Sequence, residues 1–210
     1  MNPPSTAARV YPASGTSPHV DGRTARRDRN RATVLDAVIE LFEDGNLSPG
    51  VHEIAHRSGI SLRSVYRYFD DVDSLIAAAI DQRLRASRPA FSLDHPGDGP
   101  LHDRVTRFCQ ARVALFEDLR VVYNAATVRS GLDQEVADGL ARLRRALSNQ
   151  MEQMFATELD LLTQDELRMA TLTLDLVSQF DSLVILRETR QLTVEDTVAY
   201  LVDAFVGLLG

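Results

Sequence analysis

Apolar residues recur at helical spacing along most of this 210-residue chain, and no stretch of useful length alternates as a strand does. An early example places five apolar residues on one helix face: Val34, Leu35, Val38, Leu41 and Phe42. Similar stripes run through residues 136–154 and 193–209. The spacing therefore predicts an all-α chain of about nine helices.

Turn-forming and capping residues divide the chain into three parts. Residues 1–22 are rich in Pro, Ser, Thr, Ala and Gly without an apolar period, so we expect a disordered arm. The pattern of residues 23–88 predicts three helices and a fourth, connecting helix that begins at the acidic residues 70–73. The ends of the first two helices and the caps of the second and third are marked by Gly45, Asn46, Ser48, Pro49, Gly59 and Ser61.

A second helical domain is predicted over residues 89–210, after a Pro- and Gly-rich loop at 89–100. Its longest stripe comprises Val136, Leu140, Leu143, Leu147, Met151 and Met154. A capping box from Thr163 to Glu166 opens a helix that continues to about Arg187 and is apolar nearly all round. The last helix opens at Thr193. These two helices carry more apolar surface than packing on one side of each helix would bury, which predicts a homodimer formed through them. The alternative is a monomer that buries both faces of these helices internally.

Charge is distributed unevenly along the chain. All 23 basic residues are Arg, and the formal net charge is −7. Residues 1–88 are near neutral, whereas the remainder is strongly acidic, and residues 23–31 hold five Arg against one Asp. This asymmetry favours a front part that meets an anion.

Cys109 is the only cysteine, which excludes an internal disulfide and a cysteine-based zinc finger. We expect it to be a small core residue, with a redox sensor as the alternative. No uncharged apolar run approaches the roughly 18 residues of a membrane span, and no signal peptide is visible. These features predict a cytoplasmic protein without membrane contact.

The most informative segment lies between Val51 and Phe69. Ala55 and Gly59 are four residues apart, where a small residue permits close helix crossing and a glycine permits the turn. Three aliphatic residues surround them: Ile54, Ile60 and Val65. The spacing predicts a helix-turn-helix whose second helix presents hydroxyl and guanidinium groups, which suit phosphates and base edges.

The pattern I-A-x-x-x-G-I-S-x-x-x-V-Y-x-Y-F, followed by a helix that begins D-S-L-I, resembles the DNA-binding head of TetR-type (TetR/AcrR) transcriptional regulators. The match covers about residues 26–85. The resemblance implies a helix-turn-helix head and a helical body that binds a small molecule and forms a homodimer through its last two helices. It also implies a palindromic double-stranded DNA operator from which the ligand releases the protein.

The resemblance places the predicted DNA-binding residues on this sequence. Arg63 is the first candidate for a guanine contact, and the tyrosines are candidates for phosphate contacts. The full set is Arg26, Arg27, Ser48, Ser61, Leu62, Arg63, Ser64, Tyr66, Arg67 and Tyr68.

A ligand pocket is expected among the body helices, where polar residues interrupt apolar stripes and Met or Phe residues adapt to apolar ligands. Ordinary core or surface positions are the alternative for each of them. The candidates are Cys109, Arg112, Phe116, Tyr123, Thr127, Met151, Met154, Phe155, Leu176, Gln179 and Phe180. No cofactor is predicted.

One position departs from the family pattern. TetR-type heads usually carry a Lys three residues after the position of Phe69, where it contacts a phosphate. Here Val72 occupies that position between Asp71 and Asp73. Loss of this contact predicts uniformly weaker DNA binding and a smaller salt dependence, which the N-terminal arginines could offset.

Two other functions compete with a ligand-responsive repressor. His52, Glu53 and His56 spell H-E-x-x-H, the motif of zinc metalloproteases, but the extended motif needs a third His where Leu62 stands. We therefore expect a protein that is not an enzyme and holds no metal. The second alternative is a DNA-binding regulator that uses its body for a protein partner rather than a small molecule.

Overall fold

The computed structural model describes residues 22–87 and 98–210, and these residues form α-helices connected by short turns, without β-strands. The helices are α1 Gly22–Glu43, α2 Val51–Ser58, α3 Leu62–Tyr68, α4 Val72–Ala86, α5 Leu101–Arg129, α6 Gln134–Met154, α7 Ala156–Leu159, α8 Gln164–Ser178, α9 Phe180–Val184 and α10 Val194–Leu209. A π-helical turn, Ile185–Thr189, continues α9. The all-α prediction is confirmed. The predicted arm up to residue 21 and most of the predicted loop at 89–100 lie outside the described residues.

Helices α1 to α4 form the head, and their buried residues belong to the same hydrophobic core as those of the body. The predicted apolar face of α1 is buried, and α1 contacts α2, α3 and α4. Gly45 follows α1 with φ +88°, a conformation that glycine adopts without steric cost. The sequence therefore located the end of α1 correctly.

The predicted start of α2 is wrong by two residues. The helix begins at Val51 with Gly50 as its N-cap, rather than at Ser48 and Pro49. The Glu53 carboxylate accepts the Gly50 N–H at 2.7 Å, whereas the Ser48 N–H donates to Asn46 Oδ1 at 3.2 Å. Ser48 thus belongs to the preceding turn, because Glu53 satisfies the first free donor of the helix.

The turn between α2 and α3 has the geometry that the motif predicted. Gly59 ends α2 in the left-handed region at φ +66°. Ile54 and Val65 are fully buried at the crossing, and Ser61 is the N-cap residue of α3. The helix-turn-helix prediction is confirmed in the fold.

The long helix α5 is the centre of the body and contacts α4, α6, α9 and α10. Three rings from α5, the end of α6 and α10 meet in one cluster: Phe108, Phe155 and Phe205, with all centroid separations at 5.3 Å. The predicted stripe of α6 is buried along its whole length. Burial of these aromatic and aliphatic side chains is the main stabilisation of the body.

The helix predicted from Thr163 to about Arg187 is interrupted. The capping box at Thr163 and Glu166 is present, but α8 ends at Ser178 and Gln179 adopts an extended conformation. The Gln179 side-chain amide donates to Asp175 Oδ1 and Ser148 Oγ, at 2.7 and 3.1 Å. The contact with Ser148 on α6 is a tertiary one, which local periodicity does not register.

In the described ranges, no single helix is long and apolar enough to cross a membrane; only Gln164–Ser178 with Phe180–Thr189 meets that requirement, as a pair bent by 50°.

Candidate nucleic-acid interface

An open cleft lies where the beginning of α1 meets α3. It is lined by Arg26, Arg27, Asn30, Ser64, Arg67 and Tyr68. Five of these residues belong to the predicted DNA-binding set, and Asn30 was missed because an amide inside an arginine-rich run gives no motif signal. The fold thus brings the N-terminal arginines and the second helix of the helix-turn-helix together, although about forty residues of sequence separate them.

Tyr68 is the polar centre of this cleft. Its hydroxyl oxygen accepts hydrogen bonds from Arg67 Nη2 at 3.1 Å and Asn30 Nδ2 at 3.5 Å. The Arg67 guanidinium also lies 5.2 Å from the Tyr68 ring centroid. Donation by Asn30 and Arg67 lowers the pKa of Tyr68 from its ordinary value, since both contacts favour the phenolate. The phenol hydrogen can still donate to an acceptor such as a phosphate oxygen.

The outer face of α3 carries the remaining predicted contacts. Arg63 and Tyr66 are exposed, and Leu62 is half-buried beside them. Ser61 donates its hydroxyl to Ser64 Oγ at 3.0 Å, which orders the first turn of α3. Ser48 is exposed on the turn before α2 and does not line the cleft.

The basic run does not act as one surface. Arg26, Arg27 and Arg29 are exposed, whereas the Arg31 guanidinium lies over the Phe69 ring at 5.1 Å. Such a contact holds the middle of α1 against the residue that ends α3. The Arg23 side chain lies outside the described residues.

Most of the predicted ligand-pocket residues form a packed interior. Cys109, Phe116, Met151, Phe155 and Phe180 are fully buried, and Met154 is nearly so. The Phe180 ring contacts Phe116 and Tyr123 edge-on, with centroid separations of 5.3 and 5.4 Å. Burial raises the pKa of the Cys109 thiol to about 12, so it stays protonated near neutral pH.

Arg112 is the most unusual member of that interior, since it is only 1% exposed. Its guanidinium donates to the carbonyls of Ser178 and Leu147, to Ser178 Oγ and to Gln150 Oε1. It also lies 4.8 Å from the Phe108 ring centroid. Burial lowers the pKa of Arg112 to about 10, because removal from water disfavours its charge. Arg112 thereby joins α5 to α6 and to the end of α8.

Two predicted pocket residues do not line the interior. Leu176 is 67% exposed on α8. Thr127 is also exposed, and its hydroxyl donates to the Tyr123 carbonyl at 2.9 Å, as helical threonines commonly do. Periodicity alone could not place them, because it does not show which face of a helix has a partner.

Comparison with known proteins gives a clear answer at the level of fold. No protein-family model and no curated protein sequence matches the chain. By contrast, the chain superposes on a TetR-family transcriptional regulator from Streptomyces coelicolor with a TM-score of 0.68 and 21% identity, over 86% of this chain and 80% of that one.

Two further solved structures agree. A TetR transcription regulator from Haloarcula marismortui has a TM-score of 0.64 and 16% identity, over 87% and 97% of the two chains. A TetR-like transcriptional regulator from Rhodococcus sp. RHA1 has a TM-score of 0.61 and 20% identity, over 86% and 96%. The chain has the TetR fold. The fold implied by the sequence motif is therefore confirmed.

Within this TetR fold, the acids beside Val72 have structural partners. Asp71 caps α4 by accepting the Ser74 N–H at 2.7 Å, and this contact lowers the pKa of Asp71. Asp73 is paired with Arg129 at the end of α5. Val72 itself is half-buried and packs against the core. Both acids at the start of α4 therefore have partners within the chain, and Asp73 attaches this start to α5.

In the H-E-x-x-H segment of the TetR-fold head, the glutamate has hydrogen-bond partners within the chain and the histidines lie on the surface. The Glu53 carboxylate accepts from Gly50 and, at 3.3 Å, from Asn46 Nδ2. His52 and His56 are exposed on α2. Among the residues that the structure describes, no group of three His, Cys, Asp or Glu side chains could hold a metal ion.

Proposed function

We propose that the protein is a homodimeric, sequence-specific DNA-binding transcriptional regulator, a repressor that a small molecule releases from a palindromic operator. The cleft between α1 and α3 carries this proposal. Its three guanidinium groups, from Arg26, Arg27 and Arg67, lie beside the hydroxyls of Ser64 and Tyr68. Cations and hydroxyls together are the groups that most often contact phosphate oxygens of DNA.

The position of the cleft supports a division of roles along α3. Residues in the cleft would hold the DNA backbone and set the orientation of the helix. Arg63, on the exposed face of α3, would then enter the major groove, where a guanidinium can donate two hydrogen bonds to guanine. Ser61, Leu62 and Tyr66 are the neighbouring candidates for base or phosphate contacts.

The surface of the body supports a homodimer. Large apolar side chains are exposed on α8, on the π-helical turn and on α10: Met169, Leu172, Leu176, Ile185, Tyr200 and Leu208. Two such surfaces can pack as a four-helix interface around a two-fold axis. The axis would place two α3 helices about one DNA turn, roughly 34–36 Å, apart or somewhat more, which requires a palindromic operator.

Helix α4 supports coupling between ligand and DNA. It contacts α1 in the head and both α5 and α6 in the body. A ligand that changes the packing of the body would therefore move the head through α4. DNA and ligand would then weaken each other by the same factor, as linkage requires.

The first test is selection from a random duplex pool with the purified chain at about 150 mM salt. Recovery of one palindrome is the expected result. A second selection at about 50 mM salt detects binding that the absence of the lysine has made too weak at the higher salt concentration. Recovery of no sequence at either salt concentration would contradict sequence-specific binding by the unliganded protein.

The dimer has its own test. Leu176→Asp places a charge in the exposed apolar surface of α8 and should reduce the solution mass from two chains to one, measured by light scattering. Leu132→Asp is the matched control, because Leu132 is 93% exposed at the turn between α5 and α6. A monomeric wild-type chain, or equal masses for the two variants, would contradict this interface.

The packing of the interior favours one alternative, a DNA-binding regulator that acts through a protein partner. The predicted pocket side chains contact each other closely, as the rings of Phe116, Tyr123 and Phe180 show. A screen of small molecules distinguishes the two functions, with thermal unfolding measured on the free protein and DNA release measured on the protein–operator complex. A compound that stabilises the free protein and releases the DNA supports a ligand-responsive repressor. Tight operator binding without a response to any compound supports a regulator that acts through a protein partner.

A further inference from the structure

An open apolar groove lies between α4 and α6, and its lining shares no residue with the DNA-binding cleft. It encloses about 270 Å³. Leu84 of α4 and Leu143 and Ala146 of α6 provide the apolar surface, and both leucines also belong to the hydrophobic core. The groove is therefore formed by side chains that also pack α4 against α6. Its size lies just below the roughly 300–1,000 Å³ typical of ligand sites, which favours a small occupant.

Gly139 creates the space in this groove. A Cβ atom at this position would lie 4.0 Å from Leu84 Cδ1 and 3.7 Å from Arg142 Nη2, both ordinary contact distances. Alanine would therefore fit, whereas a longer side chain would enter the groove. A glycine inside an exposed amphipathic helix lowers helix stability, so its presence leaves room at some energetic cost.

The rim of the groove carries more positive than negative charge. Asp81 is engaged by Arg85, whose Nε lies 2.8 Å from Asp81 Oδ2 and 2.9 Å from Oδ1. Arg142 Nη2 lies 3.8 Å from Asp81 Oδ1, beyond hydrogen-bond distance. One carboxylate thus faces two guanidinium groups, and Arg142 is the one that a further oxyanion can engage.

The combination of an apolar floor with a cationic rim defines the chemistry of an occupant. We infer that the effector is an amphipathic carboxylic acid that binds in the α4–α6 groove, with its apolar part on Leu84 and Leu143 and its carboxylate on Arg142. This inference rests on the proposed function, because it names the ligand class and the site of the proposed regulator.

The location of the groove explains how such an acid would act. The occupant would separate α4 from α6, and α4 is the helix that also contacts α1 of the head. Arg85 and Asp81 lie near the end of α4, whereas Asp71 and Asp73 begin it beside the head. A small rotation of α4 at the groove would therefore change the position of α3 relative to the second copy.

The test of the ligand class compares octanoate with octanamide, which share an alkyl chain and differ in charge. Calorimetric titration of the full chain should show binding of octanoate and about tenfold or more weaker binding of octanamide. Arg142→Gln should lower octanoate binding to the level of the amide. Arg145→Gln is the matched control, because Arg145 is exposed on the same helix but does not line the groove.

The test of the site uses Gly139. Gly139→Leu should fill the groove and abolish octanoate binding, whereas Gly139→Ala should retain it. Thermal unfolding of both variants confirms that they are folded. Equal binding of octanoate and octanamide would contradict the proposed role of the carboxylate. Unchanged octanoate binding to Gly139→Leu or to Arg142→Gln would contradict the groove as the binding site. Absence of octanoate binding at millimolar concentration would contradict both parts of the inference.

Failure of this inference differs from failure of the proposed function. If the chain selects a palindrome but octanoate neither binds nor releases it, the regulator stands and the groove assignment is wrong. If no palindrome is selected, calorimetry still reports on the groove. Support requires octanoate binding that depends on Arg142 and Gly139, together with operator release by octanoate and not by octanamide.

Discussion

The head and the body use the same cationic residue in opposite ways. In the head, the side chains of Arg26, Arg27 and Arg63 are exposed to solvent. In the body, Arg112 is fully buried and its hydrogen bonds join three helices. Every basic residue of this chain is Arg, so residue type alone cannot distinguish a recognition surface from a structural clamp.

Desolvation explains why the two uses have different consequences. An exposed guanidinium keeps its hydration and costs nothing until it meets an anion. A buried guanidinium loses that hydration, and only well-placed acceptors compensate for it. The lowered pKa of Arg112, about 10, records this cost. Removal of a head arginine should therefore affect DNA binding, and removal of Arg112 should affect folding.

The largest expected effect tests the body. Arg112→Ala removes the guanidinium donor from the carbonyls of Ser178 and Leu147 and creates a cavity beside Phe108. We expect the free energy of unfolding to fall by about 3–5 kcal/mol, measured by urea denaturation with circular dichroism. Arg63→Ala should change it by no more than about 0.5 kcal/mol. Similar losses for the two variants would remove the contrast between the regions.

The next effect tests base recognition in the head. Under the proposed function, Arg63→Ala should weaken operator binding by about 1–3 kcal/mol and relax specificity at one base position, since the proposed bidentate contact with guanine would be lost. Affinities for all single-base operator variants, measured before and after the substitution, provide the comparison. An unchanged preference at every position would show that Arg63 does not contact a base.

A smaller and different effect is expected in the cleft. Arg67→Ala should weaken binding about equally for all sequences and reduce the slope of log affinity against log salt by about one, because a phosphate contact carries no sequence information. Arg57→Ala is the control, since Arg57 is already paired with Asp44 and Glu40. If the control alters the slope as much as Arg67→Ala does, the cleft has no special role.

The smallest expected effect is at Val72, where the head meets the body. Val72→Lys introduces the phosphate-binding lysine that TetR-type heads usually carry. It should increase the salt slope by about one and tighten binding to all sequences, provided that the new ammonium reaches the backbone past Asp71 and Asp73. Salt titrations of operator and nonspecific duplexes measure it. A decrease in affinity would show that the loss of Val72 from its packing against the core outweighs any new phosphate contact.

Local signals explain which parts of the fold were predictable. The end of α2 at Gly59, the cap of α3 at Ser61 and the capping box at Thr163 each depend on a few neighbouring residues, and all three are present. The start of α2 was predicted two residues early, because Ser48 and Glu53 offer competing caps and sequence does not rank them. The break at Gln179 was not predicted, since Ser148, which accepts from Gln179, and Arg112, which donates to Ser178, are distant in sequence.

The candidate site divides in the same way. The residues of α3 were predictable because the helix-turn-helix spacing assigns each of them to a buried or an exposed face. The contribution of Asn30 became visible only when α1 and α3 were brought together around Tyr68. Likewise, the exposure of Leu176 depends on which side of α8 faces the rest of the chain.

By itself, the sequence determined that this chain is helical, that its front part contains a helix-turn-helix and that five arginines are clustered at residues 23–31. These properties follow from periodicity, caps and composition, which act over a few residues. Only the tertiary structure decided that Arg112 is buried, that Asp71 and Asp73 serve α4 and the body, and that Gly139 leaves an open groove. Burial and pairing depend on distant residues meeting, and no local pattern specifies which ones do.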